Sequence, residues 1–266
     1  MDKEALRQAS AALVGKLSQP EAFVAGLHRL LEAHADEKAA ANRRRIIPEM
    51  GTTFGTPLPV LRVIAAEIAR QGTKEPHSVL PLLKTLWDNG SFEERQIVGK
   101  VMERMAKKYP AECLALVPGF LPTLDNWANC DNLACFGMKA IALQMADEVL
   151  SLCEQWMQDE NKWIRRFGVV VLRAFQKTDL PERALEILGL AMTERDSDVK
   201  KGVAWMLWDL SKRHAAHVFE FLLGWAQSHP NRDTMWMIKN GMKKLPADQQ
   251  QQLVEALEGE VVLWTE

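Results

Sequence analysis

The sequence predicts an all-α protein made of stacked helical pairs, and three observations support this prediction. The chain of 266 residues is rich in strong helix formers and contains 12 Met and nine Trp but a single Tyr. Alternating β-branched and aromatic segments joined by Asn-Gly or Asp-Gly turns, which indicate β-hairpins, are absent. Helix-start residues also recur at a fixed interval, and this recurrence determines the predicted architecture.

The interval is 35 residues, and each residue that marks it is of a type that caps helix N-termini. Side-chain oxygens of Ser, Asn and Asp accept hydrogen bonds from the N–H groups of a helix's first turn. The five residues in register are Ser91, Asn126, Asn161, Asp196 and Asn231. Each is followed by a helix-like stretch of about 15–18 residues, the length typical of one helix of a repeat.

A second helical stretch follows each first one, so the repeating unit is a helical pair. Two helices per 35 residues indicate an α-helical solenoid. The patterned Trp, Gly and Tyr of TPR repeats are absent, and a single Tyr cannot supply them, which favours a HEAT-like solenoid. Because such pairs cannot bury their apolar faces alone, we expect a single domain over residues 1–266. Residues 91–266 hold about five repeats, and residues 1–90 form a less regular helical part.

The N-terminal part has helices predicted near 2–17, 20–35, 37–46, 58–71 and 76–88. The segment IPEMGTTFGTP carries two Gly and two Pro, and it is therefore predicted to be a loop. Cys113, Cys130, Cys135 and Cys153 form no CxxC pair, so they are expected to be buried thiols and not metal ligands. No metal or cofactor site is predicted. The N-terminal residues lack a signal-peptide pattern, and no apolar run approaches 18 residues, so we expect a soluble intracellular protein.

Charge is distributed unevenly between the two helices of the repeats, although the net charge is only −2. The first helices, within 91–109, 126–145, 161–178, 196–213 and 231–245, together carry +11, and the alternate segments carry −15. First and second helices form opposite layers of a solenoid, so we expect one basic face, lining the concave side. Ordinary solvated charge is the alternative interpretation.

Residues at equivalent positions of the first helices suggest a site. Counted from each cap, position five holds Gln96, Asp131, Arg166, Lys201 and Trp236. Trp127 at position one and Trp205 at position nine share the same helix face, because residues four apart are neighbours on a helix. A carboxylate, two cations and two indoles make a poor core but a plausible site for a ligand with both anionic and cationic parts. A structural Asp131–Arg166 bridge between repeats is the alternative.

These residues lie in segments that resemble a known family. DNWANCDNLACFGMKAI, NKWIRRFGVVVL and KKGVAWMLWDLSK resemble the AlkD-like DNA alkylation repair glycosylases, as do FGTPLPVLR and SFEERQIVGKVM upstream. The resemblance spans about residues 50–245 and implies a HEAT-like solenoid that hydrolyses the N-glycosidic bond of cationic alkylated purines, such as 7-methylguanine and 3-methyladenine. Thr56, where an aliphatic residue is more usual, and a pI of 6.3 depart from the family's pattern.

The resemblance implies a role for each of four residues. Asp131 would stabilise the sugar cation, and Trp127 and Trp205 would offer indole faces to the nucleotide. Arg166 would hold a backbone phosphate. The resemblance also implies that the protein grips the duplex backbone without flipping the lesion into a deep pocket, and that it acts in base excision repair.

Further basic residues of the first helices are expected to bind duplex phosphates. These are Lys162, Arg165, Lys200, Lys201, Lys239, Lys243 and Lys244. The expected partner is therefore double-stranded DNA containing alkylated purines, without a membrane, and the protein is expected to be a monomer in the cytoplasm, associated with the nucleoid when bound to DNA. Two alternatives remain open at this point: a DNA-binding relative without catalysis, and a HEAT-repeat scaffold whose basic layer grips an acidic protein.

Overall fold

A computed structural model of the chain describes residues 2–228 and 230–263, and the regular secondary structure of these residues is helical, with no strand. The all-α prediction is therefore confirmed. The chain divides into two compact units, Met1–Met145 and Ala146–Glu266, which are described separately. The single domain over 1–266 stays a prediction.

The first unit contains ten α-helices among its described residues, and the predicted N-terminal helices are all present. They are α1 (Lys3–Val14), α2 (Pro20–Glu32), α3 (Glu37–Ile46), α4 (Leu58–Gly72), α5 (Pro76–Asn89), α6 (Phe92–Met105), α7 (Pro110–Leu114), α8 (Val117–Phe120), α9 (Trp127–Asn132) and α10 (Lys139–Gln144). Helix α4 packs against α1 and α6, and α6 packs against α9, while α5 contacts α8 in a second layer.

The second unit contains seven α-helices among its described residues. They are α11 (Ala146–Trp156), α12 (Lys162–Val171), α13 (Pro181–Gly189), α14 (Ser197–Leu210), α15 (Ala215–Ala226), α16 (Arg232–Gly241) and α17 (Ala247–Leu263). Helix α14 packs between α12 and α16, and α13 and α15 pack in line between α11 and α17. Within this unit, the first and second helices of the pairs therefore form separate layers, which is the solenoid-like arrangement that the 35-residue period predicts.

All five predicted caps are confirmed. The side-chain oxygens accept hydrogen bonds from first-turn N–H groups of the helices that begin one residue later, α6, α9, α12, α14 and α16. Ser91 forms a complete capping box with Glu94, whose carboxylate accepts from the Ser91 backbone N–H. The capping side chain of each 35-residue repeat therefore determines where its first helix begins.

The predicted loop between α3 and α4 is confirmed, and a buried carboxylate holds it in place. Glu93 has no exposed surface, and its oxygens accept hydrogen bonds from Arg43, Thr53 and the backbone N–H groups of Phe54 and Thr56 at 2.5–3.1 Å. Four donors around one carboxylate offset the cost of burying its charge. The loop is thereby fixed to the first turn of α6.

The structure explains why glycine occupies position 55 of this loop and threonine position 56. Gly55 has a φ of +79°, and an added Cβ would lie 2.9 Å from the Cβ of Ala40, so only glycine fits there. Thr56 is fully buried, and its hydroxyl donates to the carbonyl oxygen of Leu31 at 2.8 Å. That hydrogen bond explains how a polar residue is accommodated at a position where the resembling family has an aliphatic one.

The four cysteines are buried, as predicted. Burial, with a smaller contribution from Glu112, raises the pKa of Cys113 to about 12, and burial likewise raises the pKa of Cys153. Both of these thiols are therefore protonated at neutral pH and behave as small apolar side chains.

Candidate functional site

Trp127 and Asp131 lie on the same helix, one turn apart. Helix α9 begins at Trp127 because Asn126 caps it, with its side-chain oxygen accepting from the Asn129 N–H at 3.0 Å. The Trp127 side chain is 36% exposed, and Asp131 is half-buried. Because residues four apart share a helix face, a carboxylate and an accessible indole stand side by side, as the sequence predicts.

Amide side chains fasten α9 to α6. The Gln96 side-chain amide donates to the Ala128 carbonyl at 3.1 Å and to the Asn129 side-chain oxygen at 2.9 Å. The buried Asn132 side-chain amide donates to the Gln96 carbonyl at 3.2 Å, and Gly99 provides the space for it. These roles of Asn129 and Asn132 were not predicted from the sequence. A signal in the sequence that could have indicated these roles is the presence of amide residues on the helix face that packs against α6, because buried amides need hydrogen-bond partners.

An ion pair fixes the segment just before α9. Asp125 lies 3.0 Å from the Arg95 guanidinium and accepts a 2.7 Å hydrogen bond from the Asn126 side-chain amide. The Arg95 guanidinium in turn lies 5.4 Å from the centroid of the buried Trp87 ring. The cap of α9 is therefore held from both sides, by its own helix and by Asp125.

The structure corrects the continuous first helix predicted within 126–145. Residues Leu133–Gly137 form a π-helical turn, in which the Met138 N–H donates to the Leu133 carbonyl at 2.9 Å. Helix α9 therefore ends at Asn132, and the next helix begins at Lys139. Propensity did not indicate this turn, because it depends on packing between helices. Single π-helical turns occur frequently next to functional residues, and this one begins two residues after Asp131.

In the second unit, three predicted cations converge on Asp198. The Lys162 ammonium lies 3.0 Å and the Lys201 ammonium 3.6 Å from its carboxylate, and the buried Arg166 guanidinium donates to its backbone carbonyl at 2.5 Å. Burial alone would raise the pKa of Asp198, but the hydrogen bond and charge of Lys162, with the charges of Lys201 and Arg166, lower it below its usual value. This group, the Asp198 cluster, carries a net charge of +2.

Trp205 lies on α14, one turn after Lys201, and is half-buried. The Arg173 guanidinium lies 5.7 Å from the Trp205 ring centroid, and the buried Asp209 carboxylate holds that guanidinium at 3.0 Å. The indole is therefore supported by an ion pair that was not predicted from the sequence. Arg173 and Asp209 are 36 residues apart, so no local pattern marks the pair.

The remaining predicted cations differ in their partners. The Arg165 guanidinium lies 2.7 Å from the Glu194 carboxylate, and the Lys200 ammonium lies 2.5 Å from Asp233. Lys243 donates to the Asn240 side chain at 2.8 Å, and the Lys244 ammonium lies 5.5 Å from the Trp208 ring centroid. Lys239 is exposed, and no ion-pair partner for it occurs among the described residues.

The predicted site thus takes Trp127 and Asp131 from the first unit and Arg166 and Trp205 from the second. Their grouping into one site stays a prediction. Among the side chains that the structure describes, no three His, Cys, Asp or Glu residues come together as a metal site would require. No helix in this part of the chain is long and apolar enough to cross a membrane.

Comparison of this chain with known protein families and solved structures indicates one family. Residues 27–245 match the family model described as DNA alkylation repair enzyme. A predicted DNA alkylation repair enzyme from Enterococcus faecalis has a similar solved structure, with a TM-score of 0.68 and 14% sequence identity, over 80% of this chain and 98% of that one. The crystal structure of smu.31 from Streptococcus mutans matches with a TM-score of 0.53 and 15% identity, over 70% of this chain and all of that one. No curated protein gives a match.

Proposed function

Because this chain belongs to the DNA alkylation repair enzyme family, we propose that it is a DNA glycosylase acting on positively charged alkylated purines in duplex DNA. It hydrolyses the N-glycosidic bond of bases such as 7-methylguanine and 3-methyladenine, the first step of base excision repair. The observation that carries this proposal is the half-buried Asp131 carboxylate one helical turn from the exposed Trp127 indole. A carboxylate beside an accessible aromatic face suits a cationic sugar and its base.

The role of Asp131 follows from the positive charge that develops on the sugar during the reaction. Alkylation of a ring nitrogen makes the purine cationic, so the electron pair of the breaking C1′–N bond neutralises the departing base and no general acid is needed. The sugar then carries the positive charge in an oxocarbenium-like transition state. Asp131 stabilises that charge and orients the water whose oxygen bonds to C1′, and the released proton passes to the carboxylate or to solvent.

The other predicted residues bind and position the DNA. Trp127 and Trp205 offer indole faces to the cationic nucleotide, and Arg166 holds a backbone phosphate. Lys162 and Lys201 extend this contact, because both lie at the same carboxylate, Asp198, whose backbone carbonyl accepts from Arg166. We further propose that the protein works as a monomer in the cytoplasm, on the nucleoid when DNA is bound.

Single-turnover release of 7-methylguanine from methylated duplex DNA tests the proposal. In Asp131→Asn the side-chain volume is nearly unchanged and the charge is removed, so we expect release to fall on the order of a hundredfold, about 3 kcal/mol of barrier. Duplex affinity stays the same or rises, because a carboxylate near phosphates repels them. The exposed Asp179→Asn serves as the matched control and keeps the wild-type rate.

Melting temperatures measured in parallel separate catalysis from folding. If Asp131 has only a structural role, Asp131→Asn lowers the melting temperature, and release remains proportional to the folded fraction. Release at the wild-type rate by a well-folded Asp131→Asn protein contradicts the proposed mechanism. Duplex binding without base release by the wild-type protein would indicate a non-catalytic relative, and the absence of duplex binding would indicate a protein-binding scaffold.

A further inference from the structure

A second basic site lies in the first unit, which holds none of the phosphate-binding cations that the sequence analysis names. A cavity of about 160 Å³ opens between α4 and α6, with Ala65 and Ala66 as small apolar wall residues. Its other lining residues are charged: Arg62, Lys100, Glu103 and Arg104. Three cations against one carboxylate give the cavity a net charge of +2.

Lys100 is the least exposed cation of this group. Its side chain is 18% exposed, and its ammonium lies 2.8 Å from the centroid of the Phe136 ring and 3.3 Å from the Glu103 carboxylate. Burial lowers the pKa of Lys100, Glu103 opposes this effect, and the charge of Arg62 adds to it. An ammonium has three donors, and among the described residues its one hydrogen-bond acceptor is Glu103.

The two guanidinium groups are available for a ligand. Arg62 and Arg104 are exposed, and neither guanidinium makes an ion pair or hydrogen bond with a described residue. Arg presents planar forks of donors that match phosphate oxygens, and Lys adds a compact charge. The three side chains thus combine the two cation types that phosphate sites use.

The cavity adjoins the helix that carries Asp131. Lys100 stands at position nine of its repeat, on α6, which packs against α9. Phe136, whose ring lies under the Lys100 ammonium, belongs to the π-helical turn that directly follows α9. An anion held here would therefore lie beside the segment that follows Asp131.

We propose that Arg62, Lys100 and Arg104 form a phosphate-binding pocket, which takes a backbone phosphate of the duplex in addition to those bound by the second unit. The claim that the pocket binds an anion depends only on the cavity and its charged residues. The claim that this anion is a phosphate of DNA rests on the proposed function. A free phosphate ion is the other source of the same chemistry, and the two arms of the test distinguish these sources.

The first arm measures the affinity for unmodified duplex DNA as a function of salt. If Lys100→Gln or Arg104→Gln removes a phosphate contact, the slope of log K against log salt should become shallower by about 0.9 per contact. Lys74→Gln is the control, because this exposed lysine lies after the C-terminal end of α4 and does not line the cavity. Circular dichroism verifies folding, and the exposed Arg104 keeps the test valid if Lys100→Gln fails to fold.

The second arm uses inorganic phosphate and needs no DNA. A ligand that binds the native state raises the melting temperature, so phosphate should protect the wild-type protein more than chloride of equal ionic strength does. The protection should shrink in Lys100→Gln and Arg104→Gln and persist in Lys74→Gln.

The two arms have different outcomes for the two sources of phosphate. Shallower slopes in the pocket variants support a duplex phosphate, and loss of phosphate protection without a change in slope supports a free-ion site. Unchanged slopes together with unchanged phosphate response overturn the proposal. If the wild-type protein does not bind duplex DNA, the proposed function fails, and the phosphate arm alone decides whether the pocket binds an anion.

Discussion

At the scale of single residues, the most consequential side chain outside the predicted set is Asp198. Its carboxylate pairs with Lys162 and Lys201, and its backbone carbonyl accepts from Arg166. Asp198 therefore positions three cations that the sequence assigns to phosphate binding, and its carboxylate competes with phosphate for two of them, Lys162 and Lys201. Stability and DNA affinity should consequently respond to this residue in opposite directions.

Replacing Asp198 with Asn tests this opposition. The folded-state pKa of Asp198 is lowered, so its stabilising contribution is present above the unfolded-state pKa and is lost as the pH falls through the lower folded-state pKa. We expect Asp198→Asn to have a lower melting temperature than the wild type at pH 7. In strongly acidic buffer, where Asp198 is protonated in the wild type, the two melting temperatures should differ less. Thermal melts from pH 2 to pH 7 measure this, with the exposed Asp179→Asn as control.

The same variant should bind duplex DNA more tightly at low salt. Removing the carboxylate raises the net charge of the Asp198 cluster and removes a competitor of phosphate from Lys162 and Lys201, so the salt dependence should steepen. Fluorescence anisotropy with a labelled duplex over a salt series is the measurement. Weaker binding by a folded Asp198→Asn protein would mean that Asp198 orients its lysines for DNA more than it competes for them.

At the scale of elements, the close approach of α6 and α9 positions the candidate catalytic helix. Gly99 on α6 lies against the Asn132 side chain, and a Cβ at Gly99 would overlap the Asn132 side-chain nitrogen. Helix α9 has only six residues, too short to be stable alone, so its position depends on this packing and on its cap. Tertiary contacts on α9 therefore set the placement of Trp127 and Asp131.

Gly99→Ala should consequently affect both stability and activity. The added methyl group displaces the buried Asn132 amide, and overpacking of this kind costs about 1–3 kcal/mol. We expect a lower midpoint of urea unfolding and a lower rate of base release by the folded enzyme. Gly119→Ala is the matched control, since the added Cβ there meets no neighbouring side chain within 4 Å. Equal stability of the two variants would show that α9 tolerates a shift away from α6.

At the scale of the whole molecule, the sequence separates basic first helices from acidic second segments, with +11 against −15. The structure shows that this basic charge is not uniformly available, because carboxylates already neutralise part of it. Lys200 is paired with Asp233, whereas Lys239 is exposed without an ion-pair partner among the described residues. The charge count alone therefore overstates the number of phosphates that this layer binds.

A comparison of paired and unpaired lysines should reveal this difference. Lys239→Gln and Lys243→Gln should each make the slope of log K against log salt shallower by about 0.9 if their lysines contact phosphates. Lys200→Gln should change the slope less, because its ammonium is already compensated, and should weaken binding mainly by exposing Asp233. Identical slopes in all three variants and in the wild type would show that the basic layer does not bind the duplex.

The features that the sequence predicted by itself depend on interactions between residues that are close together along the chain. A cap and the first turn it serves lie within four residues, so the five caps and the starts of their helices follow directly from residue type. The placement of Trp127 and Asp131 on one face follows likewise from the pitch of a single helix. These parts of the fold and of the candidate site need no knowledge of the neighbouring helices.

The tertiary structure alone decided which charges meet and where a helix is interrupted. The pairing of Lys162 with Asp198 joins residues 36 positions apart, and the pairing of Arg43 with Glu93 joins residues 50 positions apart. The π-helical turn after α9 and the cavity around Lys100 also arise where α6 meets other helices. Such contacts depend on the register of packed helices, and residue type and spacing along the chain do not fix that register.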